Sequence, residues 1–274
     1  MRGARDAHDS QEDLRRRLER HAPDCRGRRR REVRVHRLHP ALSGGSPQAS
    51  GPMSCVLHIL DADGSLTPWL SRIDDAFTRA SALVASRLPV GPVDVIVHHD
   101  PEQVVPELGM SGFCTSPRRL YLPLDVGNPG LSASFETIFQ GFLAHELHHC
   151  ARRCTPGFAD TLGQALVSEG LACCFEAELP GGGVPPYASR LSGRALDAIR
   201  ARAAAEMDRP LSGWGRWFFG EAEPEIPIHA GYALGFEIVS RWLRRQELTA
   251  AEAYAVPAAR ILAATVPAPP NTAA

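Results

Sequence analysis

The chain has 274 residues, 30 basic and 31 acidic side chains and a formal net charge of −1, with 44% hydrophobic and 22% charged residues. That composition is globular and excludes a collagen-like, fully disordered or coiled-coil chain. The charge balance is uneven, because residues 1–52 hold thirteen Arg against seven acids and the remainder holds 17 Arg against 24.

Residues 1–52 alternate Arg clusters with Asp, Glu, Pro, Gly and Ser and lack apolar periodicity, so they read as a disordered segment. One reading is a basic arm for phosphate-bearing partners. The other is a solvated tail or upstream sequence, with Met53 as the true start; without interleaved aromatics, nucleic acid is not expected as a partner. The expected domain spans 53–266, followed by a frayed tail at 267–274.

Cys55 to Leu60 reads as a strand closed by the turn Asp61 to Gly64. Thr67 and Pro68 then suit the N-cap and first position of a helix carrying Leu70, Ile73, Phe77, Leu83 and Val84 to about Arg87. Pro92 to Val97 is a second strand, and Arg119 to Leu124 a third, placed at a sheet edge by Pro123. After Gly130 the pattern is helical, at about 133–153, 158–179, 187–206 and 229–246, with a Trp- and Phe-rich segment at 211–219. Strands first and helices afterwards predict an α+β fold, with a small N-terminal sheet and a mostly helical C-terminal part. No apolar run approaches the ~18 residues needed to span a bilayer, and charged residues stand where a secretory leader would be apolar, so the expected location is cytoplasmic without a membrane partner. Seven cysteines at irregular spacing, Cys173 and Cys174 adjacent, read as reduced and mostly buried thiols.

The helix at 133–153 contains His145, Glu146, Leu147, His148 and His149, which match H-E-x-x-H. Residues four apart on a helix lie about 6 Å apart along its axis on nearly one face, so both imidazoles can meet one ion while Glu146 reaches its water. On a helical wheel, Phe135, Ile138, Phe139, Phe142, Leu143 and Leu147 form an apolar stripe. Glu146 falls in its middle and His149 and His145 toward its flank, whereas His148 points the other way, to solvent or to a supporting role. Two imidazoles and a carboxylate on a core-facing stripe require a metal or a dense hydrogen-bond network.

A hydrolytic zinc takes three protein ligands and keeps a fourth position open. Glu169 is the third candidate, in the middle of the apolar stripe of the next helix. A short connection from Cys154 to Gly157 should bring that helix back antiparallel beside the first. Glu176, two turns later, is the rival or a supporting partner.

His145, Glu146, His149 and Glu169 resemble the zinc set of the gluzincin metallopeptidases, of which thermolysin is the familiar member. Phe142 to His149, Ser168 to Ala172 and Gly231 to Gly235 together resemble a family of predicted zinc-dependent proteases known as a domain of unknown function, over roughly Met53 to Arg245. The chain is not similar to the metzincins, since Arg152 and Thr155 stand where their Gly and third His belong. The resemblance implies a zincin-like fold, a Zn2+ cofactor, a peptide or protein substrate and Glu146 as general base. It further implies an oxyanion donor downstream, for which His229 and Tyr232 are the candidates; the alternative is a core aromatic at Tyr232 and a helix-start residue at His229. Cys173 stands where the thermolysin group has an Asp against a zinc-bound His, so Asp160 or Glu176 would have to orient the imidazole.

Other groups read as structural: Cys150 and Cys154 as buried thiols, His98, His99 and Asp100 as a strand end, and Gly181 to Gly183 as a link. The function expected is that of a zinc metallopeptidase. The alternative is a zinc-binding structural or regulatory module on the same fold.

Overall fold

The computed structural model describes residues 55–155, 159–211, 215–220 and 225–264. The Arg-rich segment 1–52, the candidate start Met53 and the tail 267–274 lie outside the described residues, as do 212–214 of the Trp- and Phe-rich segment.

Four strands form one sheet in the order β1, β2, β4, β3, with β1 at Cys55–Leu60, β2 at Val93–His99, β3 at Phe113–Ser116 and β4 at Arg119–Leu124. β1 and β2 are parallel, as are β2 and β4, while β3 runs antiparallel to β4. The helix α1, Leu70–Ala85, makes the crossover that parallel β1 and β2 require. Along β2, Val93, Val95 and Val97 are buried while Asp94, Ile96 and His98 are half-exposed, so one face of the sheet carries the core. Leu120, Leu122 and Leu124 of β4 and Phe135 and Phe139 beyond it join that core.

Two expectations about this half need correction. Thr67 is not a side-chain N-cap, because the helix is preceded by a 3-10 turn over Thr67–Trp69 whose N-cap is Leu66. The Asp61 carboxylate takes the Leu66 N–H at 2.8 Å and the Thr67 hydroxyl at 2.7 Å. β4 is not an edge strand either, since β2 flanks it on one side and β3 on the other. The Pro123 carbonyl accepts the Ser111 N–H at 3.3 Å. Its nitrogen therefore points to the β3 side, where that short strand has already ended, and the β2 ladder loses no donor.

The helical part begins with α2, Pro129–Arg153, which Asn128 caps through the N–H groups of Gly130 and Leu131. Ser134 is non-helical (φ −132°, ψ 26°), so the uninterrupted helix starts beside the expected 133. α3 covers Leu162–Glu178, with Thr161 as its N-cap, and α4 covers Gly193–Ala204. Between them Pro186–Ala188 is a 3-10 turn, so the expected helix over 187–206 is two elements. Gly215–Phe219 forms one π-helical turn. α5, Ala230–Gln246, and α6, Ala258–Ala263, complete the fold.

α3 is buried on nearly every side, from Leu162 to Phe175. It can approach α5 closely because glycines meet at the crossing. A Cβ on Gly170 would stand 2.2 Å from the Gly235 carbonyl oxygen, and one on Gly235 2.3 Å from that of Leu166. α2 lies between the sheet and α3, touching β3 and β4 on one side and α3 on the other. No described helix is long and apolar enough to cross a membrane.

Candidate metal centre

α2 and α3 bring together His145, His149 and Glu169, all buried, with ligand atoms within 4.8 Å of one another. Glu169 Oε2 is 3.1 Å from His145 Nε2, and its Oε1 is 3.2 Å from His149 Nε2. Two ligands at zinc distance in a tetrahedral shell stand roughly 3.3 Å apart. Each carboxylate–imidazole pair matches that separation, and two imidazole nitrogens with a carboxylate are donors that zinc prefers. Burial opposes ionisation of Glu169, yet the neighbouring imidazoles of His149 and His145 hold its carboxyl well below the usual range.

The outer nitrogens of the two imidazoles have different partners. His149 Nδ1 is 3.2 Å from the Ser168 hydroxyl, the residue before Glu169. His145 Nδ1 is 3.4 Å from the Tyr187 hydroxyl and 3.5 Å from Glu176 Oε2, and the Cys173 thiol also reaches this ring. Of the two carboxylates expected to orient an imidazole, Glu176 is therefore the one beside it. The Asp160 carboxylate makes no hydrogen bond or ion pair with His145 or His149 among the described residues; its main chain bonds Gln164 at 2.7 Å and Leu211 at 2.9 Å.

Glu146 is also buried, at 4% exposure. Burial pushes its carboxyl up; His149 and His145 oppose that, and so does the Cys114 N–H that donates to it. The segment carrying that N–H passes directly over the carboxylate. A Cβ on Gly112 would lie 2.6 Å from the Glu146 Cγ. Arg153 of the same helix donates to the Cys114 carbonyl, so α2 bonds both backbone groups of Cys114 on the outer edge of the sheet.

His148 is not solvent-facing. It is fully buried, its Nε2 lying 3.2 Å from the Ala250 carbonyl and its ring against Phe175, and burial pushes its imidazole down to about 3. Residues after α5 cover the face that the helical wheel leaves to water. Arg152 serves the same packing, donating to the Tyr254 and Val256 carbonyls at 2.8 and 2.9 Å. Cys150 is buried, 3.4 Å from the Cys114 sulfur, but Cys154 is exposed at the helix end, against the expectation of a buried pair.

His229 is the N-cap of α5 in the left-handed region (φ 68°), buried, with no partner for Nδ1 among the described residues. Tyr232 lies one turn on, its ring 5.8 Å from that of His229 and 5.0 Å from that of Tyr187. Burial raises the Tyr232 hydroxyl well above its ordinary value, and the neighbouring Glu169, Cys173 and Glu146 push it the same way. Burial lowers His229, and the charges it senses are those of Arg190 and Glu107.

Tyr187 is the site neighbour that sequence reasoning missed. It sits in a 3-10 turn within a Pro- and Gly-rich stretch, and its only signal is an aromatic residue following Pro185 and Pro186.

Fold and site together define an α+β protein with a buried His/His/Glu cluster that could hold a metal ion, two histidines coming from one helix and the glutamate from the next. The chain belongs to the family described as Predicted Zn-dependent protease (DUF2268), which matches residues 71–263. No curated protein and no solved structure matches the chain.

Proposed function

We propose that the protein is a zinc-dependent peptidase in which His145, His149 and Glu169 hold the ion. The observation that carries this reading is the buried triad with Glu146 on the same helix, since a purely structural site has no use for a general base beside it. When bound, zinc supplies Lewis-acid polarisation of a substrate carbonyl and a water whose pKa is lowered toward ~7. Glu146 accepts the proton of the attacking water and delivers it to the leaving amine, acting as base and then as acid. Gly112 and the Cys114 N–H hold its carboxylate in place.

Tyr232 and His229 are the two candidate oxyanion donors, their rings packed 5.8 Å apart and both edge-on to Tyr187. Both groups stay neutral, and a neutral phenol retains its proton for donation. The substrate class is peptide or protein, with a cytoplasmic location.

A second reading, a zinc-binding module without proteolysis, draws on the burial of the site, where His145, Glu146, His149 and Glu169 are each exposed by 7% or less. Cleavage of a peptide library separates the two. The peptidase reading expects hydrolysis that a chelator stops and zinc restores, and it expects Glu146→Gln to lose at least ~10³-fold in turnover while keeping its metal. Unchanged hydrolysis by that variant would remove Glu146 from the mechanism.

A further inference from the structure

We propose that Tyr187 is a positioning residue of the metal site, its hydroxyl standing between the outer nitrogen of His145 and the carboxylate of Glu176. The proposal rests on the ligand assignment above. Where the gluzincin resemblance implies a carboxylate against a zinc-bound imidazole, this chain has Cys173, whose sulfur is a weak acceptor. Glu176 is the carboxylate beside that imidazole, its Oε2 3.5 Å from His145 Nδ1. The Tyr187 hydroxyl stands against both, donating to Glu176 Oε2 at 2.6 Å and lying 3.4 Å from His145 Nδ1, a contact as long as that of Glu176.

The direction of this chain follows from counting protons. The Tyr187 hydroxyl donates its single proton to Glu176 Oε2, so the lone pairs of its oxygen are left facing Nδ1. His145 must then carry its proton on Nδ1, which leaves the Nε2 lone pair on the side of Glu169, where the ion would bind. A phenol thereby links the imidazole to the carboxylate.

The surroundings hold both partners in place. The Tyr187 ring is 5% exposed, stacked 6.1 Å from Phe142 and edge-on to Tyr232 and His229. Glu176 occupies space that exists because residue 141 is glycine, where a Cβ would fall 2.7 Å from Glu176 Oε1. Gly141 lies one turn before His145 on α2, so the room for the carboxylate and the ligand come from one helix.

The test is Zn2+ affinity of the full chain by chelator competition, with the absorption spectrum of the Co2+-substituted protein as a second readout. Tyr187→Phe keeps the ring and its packing, and Glu176→Ala removes the acceptor. Each should weaken Zn2+ binding about 10- to 100-fold and shift the Co2+ bands, with the melting temperature of the metal-free protein unchanged for the Phe variant. Because the groups act in series, the double variant should lose no more than the worse single one. Zn2+ affinity within twofold of wild type in either single variant, or losses that simply multiply, would overturn the proposal while Glu169→Ala still abolished binding. If Glu169→Ala retained its zinc, the ligand assignment would fail and the positioning role with it.

Discussion

The two regions that flank α2 furnish different kinds of group to the same site. On the sheet side, the segment from Gly112 to Cys114 contributes main chain: an N–H to Glu146 and the absence of a side chain at residue 112. On the helical side, α3, the turn at Pro186–Ala188 and α5 contribute side chains, namely Glu169, Ser168, Glu176, Tyr187 and Tyr232. The difference teaches where precision resides. A main-chain contact is fixed by strand register and tolerates little change in the residue that bears it, whereas side chains on helices are fixed by how closely the helices pack.

The comparison can be broken first on the helical side. Gly170→Ala sets a methyl against the Gly235 carbonyl at a crossing with backbone on both sides, so α3 and α5 must separate. The expected loss is about 3 kcal/mol of stability or more, seen as a drop in melting temperature of order 10 °C. A variant as stable as wild type would show that the crossing does not set the placement of Glu169 against Tyr232.

The sheet side is tested by Gly112→Ala, which drives a methyl into the Glu146 side chain. Turnover should fall about 10- to 100-fold with zinc content and melting temperature near wild type, because only the carboxylate has to move. Equal loss of zinc and of activity would mean that the strand supports the ligands and not the base.

The smallest effect concerns the tether between α1 and α2. Arg72 holds Glu136 through two bonds of 2.6 and 2.8 Å and lies over the Phe135 ring. The Arg72 guanidinium holds the Glu136 carboxyl down at about 2. A carboxyl depressed on folding stabilises the protein above its unfolded pKa, and that stability is lost as pH falls from about 4.5 toward 2. The pair is largely exposed, so Arg72→Ala should cost no more than ~1 kcal/mol at neutral pH. Denaturant titrations at pH 7 and pH 2.5 should find that difference shrinking at the lower pH; a constant difference would assign the loss to packing on Phe135.

Much of the site was legible in the sequence because helical spacing is rigid. The interval from His145 to His149 fixes a shared face, and the mid-stripe position of Glu169 required a cation or partner. The α+β division and three of the four strands were legible through short apolar runs closed by turn residues, followed by helical periodicity. β3 was not, because four residues bordered by Gly112 and Pro117 carry no alternation to recognise. Pro123 misled because proline reports which side lacks a donor, not whether a strand lies at the edge. His148 was misplaced because a wheel assumes a solvent face, whereas α2 is covered on all sides from Gly141 to Arg152. Tyr187 was invisible since its role depends on a turn that only tertiary packing sets beside His145.

Zinc content of the purified full chain, compared with that of Glu169→Ala, tests the metal centre most directly. The account predicts about one zinc per wild-type chain and loss of that zinc in the variant, with the fold retained. A variant that keeps its zinc would contradict the assignment of Glu169 and transfer the third ligand to another residue.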